Sequence, residues 1–506
     1  MNLSKKRDDD FKEIAKATQS ESLAQTAQLA NITVNDIHSQ LNATEVNQIV
    51  QPHSLRELQG VVRKARVEGV RISIAGARHA MGTQQFGTGT ILVDMSQMNR
   101  VIHFEPERGE IEIEAGIQWP ALIDYTVRAQ VERTKQVGII QKQTGADFLS
   151  LGGALASNVH GRGLRLKPII GDVESFVLID AEGSERVCSR TENKELFCLA
   201  IGGYGLFGII ASVRLRLTER QVLQRVTEII SLDEIIPTFE RRISEGCLYG
   251  DFQFMTDETS GGYIHQGVFS SYVPVANDAR IADGQKELTA TDWKELYYLA
   301  HADRRRAWEI YSNYYISTSG QLYWSDTHQL SFYLEDYHRE LDARAEDAER
   351  GSEMTTEVFV PRRALIDFMA ATRRDLRHGE AELIYGTIRL IERDSESFLA
   401  WAQEAWACVV FNLHVTHSLE GIHKAQVNFR RLIDRAIEQG GSYNLTYHRW
   451  ATREQVAACH PQFIQFLRRK RQYDSAEIFQ SDWYRHYKSM FTDQLLVTDA
   501  ARDEMH

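Results

Sequence analysis

Disulfide chemistry is nearly absent from this chain. Five cysteines (Cys188, Cys198, Cys247, Cys408 and Cys459) are scattered over 506 residues, with no C-x-x-C pair. So low and odd a number excludes a disulfide scaffold, and the spacing gives no zinc ribbon. No apolar run approaches the ~18 residues that a membrane-spanning helix needs. Residues 1–30 are polar and lack the apolar stretch of a secretory signal, so a reducing, cytoplasmic compartment is expected. The N-x-T triplets at Asn31, Asn42 and Asn444 then read as chance matches. Positive charge is also short, with 58 Lys and Arg against 70 Asp and Glu, a net −12. Such a chain is a poor match for tracking a phosphate backbone, so no nucleic-acid partner is expected.

What remains is ordinary globular composition, 43% hydrophobic and 25% charged. The length allows a full core and, as a soft prior, about three domains. Residues 1–39 read as a polar extension, helical in part. "SLRELQGVVRKARVEGV" places Leu55, Leu58, Val62 and Ala65 at helical spacing. "VRISIAG" follows as a strand. Residues 110–114, "EIEIE", alternate strictly, as a half-buried strand does. Strands and helices therefore mix through residues 40–218. From 219 the composition shifts to aromatic stretches, "ELYYLA", "EIYSNYYIS" and "QLYWS", followed by charged helices. "LIYGTIRLI" and "CVVFNLHVTH" read as buried strands. The expected organisation is an extension (1–39), a first mixed domain (40–218), a second α+β domain (219–445) and an aromatic tail (446–506). No internal repeat is visible.

Gly203-Tyr-Gly205-Leu-Phe-Gly208 spells G-x-G-x-x-G. A dinucleotide fingerprint must open a helix, whereas "IIASVRLRLT" alternates as a strand. A tight turn is the plain reading, and a turn that approaches a flat cofactor is the sharper one. Two other elements favour the second. "AGARHAMG" (75–82) follows the strand "RISI" and lacks the Lys-Ser/Thr of a P-loop, but its glycines let backbone N–H groups converge on an anion. "LGGALASNVHGRG" (151–163) is built of glycines and small residues, against which a large planar group can lie.

In this order and spacing these elements resemble the flavoprotein oxidases of the vanillyl-alcohol oxidase / p-cresol methylhydroxylase (PCMH) fold. "ISIAGARHAMG", "ILVDMSQMNRV", "IEIEAGI", "TGADFLSLGGALASNVHGRG", "GDVESFVLIDAEG" and "ELFCLAIGGYGLFGIIASVRLRL" carry the likeness over residues 40–218, and "YDSAEIFQSDWYRHY" extends it to the tail. The chain is most similar to the alditol/aldonolactone oxidase and decaprenylphosphoryl-ribose oxidase branches. The resemblance implies a two-domain α+β fold, with a PCMH-type FAD-binding domain and an α+β substrate (cap) domain.

It implies FAD in an extended pose. The first loop would hold it through Ala75, Gly76, Ala77, Arg78, His79, Ala80 and Gly82. Thr144, Gly145, Ser150, Gly152, Gly153, Ser157, Asn158, His160 and Gly161 would form a second wall, completed by Gly205, Gly208, Ile209 and, from the tail, Gln480. A histidine at the position of His79 is bonded to the flavin 8α-methyl in many relatives, usually followed by Ser where this chain has Ala80. The plain alternative is a histidine bonded within its turn. His160 reads as contacting the flavin or ordering the loop.

On "YGTIRLI", alternation puts Thr387 and Arg389 on one face. Polyol oxidases carry a polar–x–Arg pair here, often with Glu first, and the carry-over is to Arg389. An Arg paired with a core-edge carboxylate is the alternative. "FNLHVTH" puts Asn412 and His414 on one face; His414 and His417 lack an evident third ligand, so no metal is expected. "NLTYHRWATR" offers Tyr447, His448 and Arg449 to a cavity or to a partly exposed turn. His448 and His414 are the candidate bases for a hydroxyl proton.

The implied activity is oxidation of a CH–OH group of a polyol, sugar or related small-molecule alcohol by hydride transfer to flavin N5. O2 is a candidate acceptor, its reactivity resting on side chains near Thr144 and Gly145. An epimerase or reductase component like the ribose oxidase, or a non-catalytic flavin-binding module, are the alternatives. Oligomeric state has no signal in the sequence.

Overall fold

The computed structural model describes residues 31–276, 278–331, 337–345, 349–378 and 381–496. The extension expected over 1–39 therefore lies mostly outside the described residues. Its last part forms the strand Ile32–Val34, paired antiparallel with Thr44–Val46.

Ser54 caps the helix Leu55–Glu68 by accepting from the Glu57 N–H, and Gly69 ends it in the left-handed region at φ 69°. A side-chain cap of this kind contributes ~1 kcal/mol. Leu58, Val62 and Ala65 are its buried residues, packed on a three-stranded parallel sheet ordered Gln48–Val50, Ile91–Asp94, Ile72–Ala75. A six-stranded antiparallel sheet follows. Its central path is Glu185–Ser189, Val173–Ile179, Ile209–Glu219, Glu110–Glu114 and Val101–Glu105, and Val137–Ile139 pairs with the end of the 209–219 strand. The G-x-G-x-x-G turn runs straight into this last strand, as its alternation requires.

The chain changes sheets between Glu219 and Val222. From there it builds an eight-stranded antiparallel sheet, ordered Leu322–Trp324, Val222–Ser231, Gln266–Pro274, Tyr249–Phe254, Leu383–Ile391, Trp406–Thr416, Gly351–Pro361 and Ser442–Tyr443. One face buries Phe269 against Phe239 of the helix Ile235–Ser244. The helix Leu419–Glu438 buries Phe429, Leu432 and Ile433 in the same core. The other face is polar at many positions and looks into a cavity. Two helices, Ala290–Ala302 and Arg304–Ser317, bring the aromatic stretches over it.

The tail returns to the first unit. Ile72 N–H donates to Ile478 O at 2.7 Å, and Asp482 N–H donates to Phe86 O at 2.8 Å. It also packs on the second, where Gln455 Nε2 donates to Arg430 O at 2.9 Å. No helix among the described residues is long and apolar enough to cross a membrane.

Candidate functional site

A cavity of about 950 Å³ lies between the loops of the first unit and the polar face of the eight-stranded sheet. That is the upper end of the range for small-molecule and cofactor sites. Its two walls differ in chemistry.

The first wall is small-residue backbone. It carries Gly76, Ala77, Arg78, His79 and Ala80, then Thr144 and Gly145, then Ser150, Gly152, Gly153 and Ser157, then Gly205 and Gly208. These segments meet closely. A Cβ on Gly76 would come within 1.9 Å of Ser150 Oγ, and one on Gly208, at φ 147°, within 2.6 Å of Ile179 O. Only glycine fits both the conformation and the space at Gly208. A wall with so few side chains lets a flat group lie against backbone over a long distance. Gly145 N–H donates to Ser331 Oγ at 3.1 Å, which ties the 144–145 turn to the second unit.

The second wall is polar and aromatic. Adjacent strands supply Glu353, Thr355 and Glu357, Tyr385 and Arg389, and Asn412. Their register pairs Glu353 with His414, Thr355 with Asn412, and Tyr385 with Asn412. Tyr447 and Asn444 enter from the segment after the last strand. Arg389 is 6% exposed, and its Nε lacks a hydrogen-bond partner. Burial opposes its charge, but Tyr385, Asp251, Cys408 and Glu357 around it outweigh that and raise it. Glu357 accepts from Asn444 Nδ2 at 2.9 Å and lies 3.4 Å from His160 Nε2. Burial alone would raise its carboxyl; His160, Arg389 and Asn444 hold it down at about 2. Burial pushes the Tyr447 phenol well up, and Glu357 beside it adds to this. The result is one charged carboxylate, one charged guanidinium and one neutral phenol at the middle of the cavity.

His79 sits at the first wall. Its Nδ1 lies 2.7 Å from His38 Nε2. His160 lines the cavity with Nδ1 on Gly161 O at 2.9 Å, which fixes its ring.

Several expected site residues lie elsewhere. Ala75 packs with Phe86 and Leu92, and Ile209 packs with Leu58 and Ile72, both in apolar clusters behind the wall. Gly82 N–H is held by Gln84 Oε1 at 3.1 Å. Asn158 turns into the protein, donating to Asp394 Oδ2 at 2.9 Å and accepting from Ile170 N–H at 3.2 Å. Gly161 is squeezed against Lys142 O, where a Cβ would come within 2.7 Å. Gln480 accepts from Arg485 Nε at 2.8 Å, and Arg449 Nη1 donates to Asp482 O at 3.3 Å, both within the tail. Thr387 is fully buried among the strands that carry Tyr385 and Arg389.

His448 needs correcting as a base. It is 1% exposed, packed against Phe429, Tyr443 and Trp450. Its Nδ1 accepts from Trp450 N–H at 3.4 Å and its Nε2 meets Thr356 Oγ1 at 3.3 Å. A neutral ring satisfies both contacts, so no lone pair is left for a substrate. His414 is not at the middle of the cavity either; its Nδ1 lies 3.3 Å from Glu353 Oε1.

The sequence reading missed His38, Glu353, Glu357, Tyr385, Arg162 and Asp251, all of which line the cavity. Glu353 and Glu357 carried a signal, since alternation along "EMTTEVFV" puts both on one face with Thr355.

Residues 46–189 match the family model described as an FAD binding domain. An L-galactono-1,4-lactone dehydrogenase from the mitochondria of Brassica oleracea is 26% identical over 217 residues, 41% of this chain and 34% of that protein. An L-gulonolactone oxidase from Bos taurus is 26% identical over 196 residues, 38% of this chain and 42% of that protein. An uncharacterised oxidoreductase of the fasciation locus of Rhodococcoides fascians is 28% identical over 170 residues, 34% of this chain and 37% of that protein. The matches thus span between about a third and two fifths of these relatives. The family model falls on residues that build most of the glycine-rich wall, from Gly76 to Ser157, and that wall fits a long, flat, anion-bearing cofactor. Residues 46–189 are an FAD binding domain within a two-unit α+β chain, and FAD is its cofactor.

Proposed function

We propose that the chain is an FAD-dependent oxidoreductase that oxidises a CH–OH group of a sugar-derived alcohol, such as a polyol or a sugar lactone. FAD, when bound, supplies the hydride acceptor. The observation that carries this reading is the Arg389, Glu357 and Tyr447 group, which faces the small-residue wall across one cavity. Arg389 donates to the alcohol oxygen and stabilises the negative charge that this oxygen takes on as its proton leaves, before loss of the hydride turns it into a carbonyl oxygen. Glu357 is ionised, so it accepts a hydrogen bond from the hydroxyl and takes up its proton, while the hydride goes to the flavin and a carbonyl is left. Tyr447 and Asn412 orient the remaining hydroxyls. The helix 304–317 lines the cavity with Trp308, Tyr311 and Tyr315, and the helix 290–302 with Trp293 and Tyr297. The names of the relatives, a lactone dehydrogenase and a lactone oxidase, support a sugar-lactone or polyol substrate and leave O2 as one of the acceptors to try.

His79 is the proposed anchor for covalent attachment of the flavin. Its ring is held neutral, and a neutral imidazole is nucleophilic.

The test is a panel of polyols, sugars and aldonolactones mixed anaerobically with the purified holoprotein. Bleaching of the oxidised flavin band by a member of the panel supports the reading. A flavin that no alcohol reduces, while dithionite does, sinks it.

A further inference from the structure

Among the described residues, two clusters bring three metal-ligating side chains within 4.8 Å of one another. One, His160, Glu357 and Cys408, lies beside the Arg389 guanidinium, which opposes a cation. The other, His301, Glu353 and His414, has a different build. Glu353 Oε1 lies 2.7 Å from His301 Nε2 and 3.3 Å from His414 Nδ1. Zinc–nitrogen bonds of ~2.0–2.1 Å in a tetrahedral site put neighbouring ligand atoms ~3.3 Å apart, so small shifts make these three atoms a ligand set.

The surroundings fix each ligand. His301 Nδ1 lies 2.8 Å from Tyr297 O, which places a proton on Nδ1 and turns Nε2 towards Glu353. With a proton on His301 Nε2 the contact is a hydrogen bond, and a metal ion held by both atoms takes the place of that proton. Glu353 Oε2 is held from the other side by His338 Nε2 at 3.0 Å and by the Tyr337 hydroxyl. Gly351, paired with Thr416 two positions from the Glu353–His414 pair, makes the space for the His414 ring. A Cβ there would come within 2.2 Å of His414 Cε1. His417 is not part of the set, since its Nε2 is engaged by Ser352 Oγ at 2.8 Å.

We infer that His301, Glu353 and His414 form a site for a divalent transition-metal ion, of which Zn²⁺ best fits two imidazoles and one carboxylate. Glu353 lines the cavity, so the remaining coordination position opens into it. That position takes water or an oxygen of a molecule bound in the cavity.

The experiment uses the FAD-loaded full chain, stripped of metal with a chelator and then titrated with Zn²⁺ or Co²⁺ alone. The inference expects uptake of about one Zn²⁺ per chain and, with Co²⁺, visible bands of a tetrahedral ion to the red of the flavin. Glu353→Gln and, separately, His301→Gln lose that uptake while FAD content stays at the wild-type level. The second variant, on a surface helix, guards against misfolding of the first. Wild-type protein that takes up neither ion, or variants that bind as well as wild type, overturns the site. The readout needs no turnover, so its failure leaves the oxidoreductase reading standing.

Discussion

His38 Nε2 and His79 Nδ1 lie 2.7 Å apart, with their rings tilted at 55° and their centroids 4.8 Å from each other. The two loops are joined beside them, where Ile37 N–H donates to Arg78 O at 3.2 Å. Burial lowers His79 to about 3, and the neighbouring His38 adds to the shift. Burial likewise lowers His38, to about 4. Both rings are therefore neutral at physiological pH. One ring nitrogen donates and the other accepts, which sets the tautomer of the ring proposed to carry the flavin.

This pair gives the first prediction. Acid precipitation of wild-type protein leaves the flavin with the pellet, and mass spectrometry finds one FAD added. His79→Ala releases all of it. His38→Ala lowers the attached fraction, because the ring of His79 loses the partner that orients it. Wild-type protein that gives up its whole flavin to the supernatant refutes the attachment, and His79 is then a turn residue beside a tightly held cofactor.

Arg389→Ala is expected to slow anaerobic flavin reduction by at least ~10-fold, the scale of losing a charged donor of ~1.4 kcal/mol or more. Single-turnover absorbance at saturating substrate measures it. An unchanged rate in a folded, FAD-loaded variant counts against Arg389 as a catalytic residue.

Glu357→Gln is expected to slow the same step by at least ~10-fold. Glu357 and Arg389 influence each other's charge in one buried group. The double variant is therefore less impaired than the product of the two single effects. Strict multiplication of the two would show that the residues act apart.

His448 and His460 are both fully buried, and burial lowers each to about 3. In the unfolded chain they take up a proton near pH 6.5, so between about 3 and 6.5 the unfolded state holds more protons. Stability from this source is complete above pH 6.5 and falls as pH drops below it. Each ring contributes ~1.4 kcal/mol per pH unit, or ~2 kcal/mol lost at pH 5. Thermal unfolding at pH 7 and pH 5 tests this through the difference between proteins. His448→Gln has a lower Tm at pH 7 and a shallower fall towards pH 5, whereas an identical fall in both would remove His448 from the account.

The first wall was legible because its chemistry is local. Glycine and alanine cluster in sequence where a cofactor lies against backbone, so "AGARHAMG" and "LGGALASNVHGRG" announced it, and "IIASVRLRLT" refused to be a helix. Within those loops the facing of single residues was not legible. Asn158 turns away from the cavity while Ser157 and His160 on either side face it, because Asp394 and Ser397 reach Asn158 from 236 or more positions away. The second wall is assembled by strand pairing over long separations. Glu357 meets His160, and Glu353 meets His301, only after the eight-stranded sheet has formed, and no spacing along the chain records it. His448 misled for a related reason. "YHRW" reads as cavity lining, but the ring of His448 is used to pack Phe429 and Trp450.

The most direct measurement of the central claim is anaerobic reduction of the bound flavin by a sugar-derived alcohol and by the same alcohol deuterated at the reacting carbon. The account predicts that the alcohol bleaches the flavin and that deuterium slows the bleaching, because the C–H bond breaks as the hydride leaves. Reduction at equal rates by the two forms would contradict rate-limiting hydride transfer in this cavity, and no reduction by any polyol, sugar or aldonolactone would contradict the activity itself.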